Sequence, residues 1–209
     1  MGMTRETGQQ QDNREIGMDR EAAWKLVCEY TESESLRRHM LAVETAMRAY
    51  ARKFGEDEEL WGVVGLLHDF DYERWPDPPD HPLQGSRILA DLGVSDTIIY
   101  AIKSHADYLT DCPRLSRLDK TLYACDELCG FIVACAMVRP ERLAGLKASS
   151  VVKKLKSKGF AAAVNRDDIN RGAEDLQVDL KEHIQFVADA LAADAERLGL
   201  TGVAEEPNG

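Results

Sequence analysis

From about residue 18 to about residue 200 the apolar residues of this 209-residue chain recur at helical intervals, and no stretch alternates well enough to make a strand. Leu36, Met40, Val43, Met47, Tyr50 and Phe54 show the pattern at its clearest, spaced alternately four and three apart. A chain with this periodicity can bury its apolar stripes only by packing helix on helix, so an all-α bundle is predicted. Asp19 is placed as the N-cap of a first helix running to about Tyr30, with Trp24 and Val27 buried. A second helix is predicted from about Ser33 to Phe54, stopped by Gly55. A third, about Asp57 to Phe70, is apolar nearly all round and is therefore placed at the centre. After the breaker-rich loop 71–80 come predicted helices near 82–92, 95–107, 115–138 and 149–158, a short helical turn from Asp167, and a closing helix near 175–198.

Residues 1–17 are polar and are read as a disordered leader, 18–200 as one helical domain, and 201–209 as a flexible tail. The start of the chain has no apolar h-region, so no secretory signal is expected. No stretch approaches a membrane span, and a net charge of −11 argues against binding a nucleic-acid polymer. Five cysteines without a CxxC pair read as buried thiols of a cytoplasmic protein rather than as a zinc site.

The chemistry concentrates on inward positions. His39 lies three after Leu36 and four before Val43, His68 and Asp69 close the central helix, and His81 precedes a helix on the side of Gly85 and Ile88. His105 sits three after Ile102, and Asp126 lies four after Leu122 and three before Cys129. One inward histidine is ordinarily a satisfied core residue, and His183, at the margin of the last stripe, is assigned that role. Inward carboxylates are different, because an unpaired buried charge costs several kcal/mol. Four histidines and two aspartates facing one interior are best explained by a divalent cation. Imidazole with carboxylate suits Fe, Mn, Zn, Co or Ni better than Ca or Mg.

The order H…HD…D, carried by His39, His68-Asp69 and Asp126, resembles the HD superfamily of all-α metal-dependent phosphohydrolases. GLLHDFDYE is similar to the core motif of that family and YACDEL to its closing helix, while HPLQGSRIL and AIKSH resemble the extra histidine motifs of its dinuclear branch. The resemblance covers about residues 36–130 and extends to small stand-alone predicted HD hydrolases. The GYP tripeptide is absent after His105, so cyclic-dinucleotide specificity is not implied. The resemblance implies two metal ions: His39, His68 and Asp126 on one, His81 and His105 on the second, and Asp69 bridging, with His68 and Asp69 also in the catalytic role.

The expected substrate is a small phosphorylated molecule, with a nucleotide among the options. Six positive residues and no acidic one lie between Arg142 and Lys158, so Lys153 and Lys154 are expected to hold phosphate, helped by a helix capped by Ser149 or Ser150. Tyr72 and Arg74, in the loop after the HD doublet, are expected to form a substrate wall, and Glu127 and Lys103 are further neighbours. Two other classes stay open at this point: a mixed-valent di-iron oxygenase with a similar ligand set, and a metal-binding sensor without turnover. Oligomeric state is not readable from the sequence.

Overall fold

A computed structural model describes residues 17–202. The expected leader falls outside this range except for Gly17, and the expected tail except for Thr201 and Gly202. The described residues are all-α, with helices α1 Arg20–Tyr30, α2 Glu34–Phe54, α3 Glu58–Leu67, α4 Asp80–Asp91, α5 Asp96–Ser104, α6 Arg117–Met137, α7 Ala148–Leu155, α8 Arg166–Asp175 and α9 Leu180–Ala193. An isolated bridge between Arg142 and Thr201 is the only β-type pairing among them.

Most of the helices begin where a short polar side chain can take up free N–H groups. Asp19 accepts from Ala22 N, Ser33 from Leu36 N, and Asp57 from both Glu59 N and Leu60 N. Ser116 and Asp119 form a reciprocal capping box at the start of α6. Gly55, at φ 72°, ends α2 in the left-handed conformation that costs glycine nothing.

The central helix is α3, whose residues Trp61 to Leu67 are all buried. It packs along α2 and also meets α1, α5 and α6. The long helix α6 packs against α2 on one side and α8 on the other, with Cys125 and Cys129 fully buried as unpaired thiols. At Gly172 the backbones of α8 and α6 approach so closely that a Cβ would lie 2.6 Å from Ala124 Cα. Helix α9 closes the bundle over α2 and α7. No described helix is long and apolar enough to cross a membrane.

Several boundaries differ from expectation, each for a local reason. Helix α3 stops at Leu67 rather than Phe70, because Phe70 N and Tyr72 N bond three residues back, to Leu67 O and Asp69 O. The short turn expected at Asp167 is a ten-residue helix, capped by Asn165. The closing helix begins at Leu180 instead of 175, because Gln177 takes a left-handed φ of 59° and Asp179 supplies the N-cap of α9. Helix α7 starts at Ala148 with Lys147 in the cap position and no side-chain cap, so neither Ser149 nor Ser150 caps it. Trp24, expected in the core, is only half-buried.

Candidate metal centre

Six donor residues from five places in the chain converge at one end of α3. His39 comes from α2, His68 and Asp69 from the turn after α3, His81 from the first residues of α4, His105 from the end of α5, and Asp126 from α6. His81 can point inward because it and Pro82 leave helical dihedrals, kinking the start of α4. The donors form two groups that share Asp69: His39, His68, Asp69 and Asp126 in one, and Asp69, His81 and His105 in the other. Within each group one ligand atom per residue lies within 4.8 Å of the rest.

The two oxygens of Asp69 divide between the groups. Oδ2 lies 3.4 Å from His68 Nε2 and 3.7 Å from His39 Nε2, while Oδ1 lies 3.2 Å from His81 Nε2 and 3.5 Å from His105 Nε2. Asp126 Oδ1 completes the first group, 3.0 Å from His39 Nε2 and 3.4 Å from His68 Nε2. One carboxylate thus faces both sets of nitrogens.

Three of the imidazole rings are held in the tautomer that a metal needs. His68 Nδ1 donates to Gly65 O at 2.8 Å, His105 Nδ1 donates to Ile102 O, and His81 Nδ1 donates to Asp71 Oδ1 at 2.8 Å. Each of these rings therefore turns an Nε2 lone pair to the centre. The Nε2 atoms of His81 and His105 are only 3.2 Å apart, and those of His39 and His68 only 3.1 Å. Bare nitrogens at that separation repel unless positive charge lies among them, and divalent cations at the shared Asp69 would supply it. Burial lowers the affinity of His81 for a proton, but Asp69 and Asp71 outweigh it and lift the ring to about 9. Burial likewise opposes the charge on Asp69, yet His68, His105 and His81 hold it well below the usual carboxylate range. The donor set fits divalent transition ions.

Asp71 was not read from the sequence as a site residue. It is 1 % exposed, and its second oxygen accepts from Gly85 N at 2.7 Å. A side chain at position 85 would collide with it, since a Cβ would lie 2.7 Å from Asp71 Cγ.

The centre opens into a cavity of about 750 Å³. Beside the ligand residues, its wall contains Tyr72, Asp107, Tyr108, Tyr123, Glu127 and Asp168, with Arg171 at the edge. Burial, then the negative charge of Asp126, pushes the Glu127 carboxyl up to about 7 against the help of Asn165 N–H, which donates to it at 3.1 Å. Of the expected substrate residues, Tyr72 lines the cavity, its ring edge-on to His81 with centroids 5.3 Å apart. Arg74 does not. Its guanidinium lies 4.0 Å from the Tyr30 ring centroid and donates to Glu29 O. Lys153, Lys154 and Lys103 are also outside the lining. Lys153 is exposed on α7, and the Lys154 ammonium sits 4.2 Å from the Phe160 ring centroid. His183, 1 % exposed, donates through Nε2 to Ala124 O at 2.9 Å and accepts from Tyr50 OH at 2.6 Å, a core role.

A helical bundle that gathers histidine and aspartate donors from α2, α3, α4, α5 and α6 at one centre defines an all-α protein with a histidine–aspartate cluster that could hold metal ions. The HD domain family model matches residues 36–130, the stretch that carries all six donors. No curated protein and no solved structure matches the chain.

Proposed function

We propose that the protein is a metal-dependent phosphohydrolase that cleaves a phosphate ester of a small molecule. His39, His68 and Asp126 would hold one divalent transition ion, His81 and His105 a second, and Asp69 both. The observation that carries this reading is the division of Asp69, with Oδ2 toward His39 and His68 and Oδ1 toward His81 and His105. Bound ions would lower the pKa of a shared water toward neutrality and polarise a phosphoryl oxygen. The chain itself fixes the imidazole tautomers of His68, His105 and His81 through Gly65 O, Ile102 O and Asp71.

The test is metal stoichiometry together with phosphate release. Protein loaded with Mn or Fe and desalted should hold about two ions per chain, and the double change His81→Ala/His105→Ala should leave about one while abolishing turnover. One ion in the unmutated protein would overturn the two-ion assignment. Oxygen uptake by the iron form, with no phosphate released from a panel of phosphomonoesters, would overturn the phosphohydrolase reading in favour of an oxygenase.

A further inference from the structure

The wall of the cavity away from the donors has a defined hydrogen-bonding character. Tyr123 OH lies 2.8 Å from Asp107 Oδ2 and 2.9 Å from Asp168 Oδ1, so its single proton serves two carboxylates. Arg171, the only arginine or lysine among the described lining residues, is already bonded to Asp107 and lies 3.7 Å from Asp168 Oδ1. Arg114 stacks 3.6 Å from the Tyr123 ring centroid and is itself committed to Asp107 and Asp175. Among the described residues no protein donor reaches Asp168 Oδ2 or Glu127 Oε1. The wall therefore offers acceptor oxygens and a half-exposed guanidinium, and it has no uncommitted cation for a second anionic group.

We propose that the cavity selects phosphomonoesters whose organic half is uncharged and rich in hydroxyl groups, with Asp168 as a specificity-determining residue. The phosphate end of this proposal rests on the phosphohydrolase reading; the organic end rests on the wall. A hydroxyl both donates to carboxylates and accepts from Arg171, so it satisfies the two kinds of group together. An ammonium would suit Asp168 and meet Arg171 as a like charge. A carboxylate or further phosphate would face Asp107 and Asp168, with one shared cation to offset them.

Sorbitol 6-phosphate and 6-phosphogluconate test this directly, because they differ only in carrying CH2OH or a carboxylate at the carbon farthest from phosphate. Manganese-loaded protein is titrated with each by calorimetry, and phosphate release is followed in parallel, with p-nitrophenyl phosphate as a generic substrate. Sorbitol 6-phosphate is expected to bind at least about tenfold tighter, equivalent to about 1.4 kcal/mol. In Asp168→Asn the preference should fall to about threefold or less, with metal content unchanged, since removing the charge relieves the carboxylate ligand more than it harms the polyol. Equal or tighter binding of 6-phosphogluconate, no binding of either, or a preference unaltered in Asp168→Asn would overturn the proposal. If none of the three compounds releases phosphate, the phosphohydrolase reading has failed, and the calorimetric ratio alone decides the proposal about the wall.

Discussion

Asp71→Asn isolates what the buried carboxylate behind His81 does. In the native protein Asp71 Oδ1 accepts from His81 Nδ1 at 2.8 Å while Oδ2 accepts from Gly85 N at 2.7 Å. Asparagine has nearly the same shape but only one acceptor oxygen. If that oxygen faces His81, the amide NH2 meets the Gly85 N–H, donor against donor, at a residue only 1 % exposed. If the amide flips, NH2 faces His81 Nδ1, and the ring must carry its proton on Nε2, where it can no longer bind a cation. Leaving a buried donor unsatisfied costs about 1–3 kcal/mol, and each 1.4 kcal/mol is tenfold in affinity. Both routes therefore predict roughly 10–100-fold weaker binding at the His81–His105 half of the centre, in the range typical for groups that orient metal-binding histidines. The assay is stepwise metal titration with a parallel melting curve. The half built on His39, His68 and Asp126 serves as the internal control and should bind as before. Two ions held with unaltered affinity in Asp71→Asn would refute the argument that Asp71 sets the His81 tautomer.

Stability should fall on acidification through His183. Burial, opposed by Ala124 O, lowers this ring to about 4, while in the unfolded chain it titrates near 6.5. Between those values the unfolded state takes up a proton that the folded state refuses, so the contribution is complete above about 6.5 and is lost as pH falls to about 4, by roughly 3 kcal/mol. Urea unfolding of wild type and His183→Gln from pH 7.5 to 4.5 checks it: the wild-type curve should drop more steeply, and parallel curves would remove His183 as the cause. The double change Lys153→Ala/Lys154→Ala should leave KM for the best phosphomonoester within about twofold, because neither side chain lines the cavity. A rise of tenfold or more in steady-state KM would bring α7 back into substrate binding.

How much of the fold and the centre was legible in the sequence depends on how local each determinant is. Periodicity alone places His39 between Leu36 and Val43, and Asp126 between Leu122 and Cys129, on the inward sides of α2 and α6, and the structure brings both together with His68 and Asp69. Helix ends marked by Asp19, Ser33 and Gly55 were legible for the same reason, since a cap acts within three or four residues. Asp71 sat in a stretch read as loop, and its only sequence signal was a glycine four residues after His81, which the structure explains as room for the carboxylate. Tyr123 and Asp168 were beyond reach, because they are 45 residues apart and meet only where α6 packs on α8.

The lysines show the opposite error, a local pattern given more weight than its geometry allows. Six positive residues without an acidic one between 142 and 158 look like an anion site when counted along the chain. On a helix the same residues are sorted by which side is buried. Ala148 and Val151 turn inward on α7, and Lys153 projects to solvent. The stem of Lys154 lies along the Phe160 ring, covering apolar surface as long cationic side chains commonly do. Aspartates counted along the chain are scattered in the same way, yet four of them, Asp69, Asp107, Asp126 and Asp168, reach one cavity from four separate places in the chain. A net charge of −11 thus says little about the site. Its electrostatics are set by which few carboxylates the packing of α3, α5, α6 and α8 turns toward the same cavity, and by the scarcity of cations turned there with them.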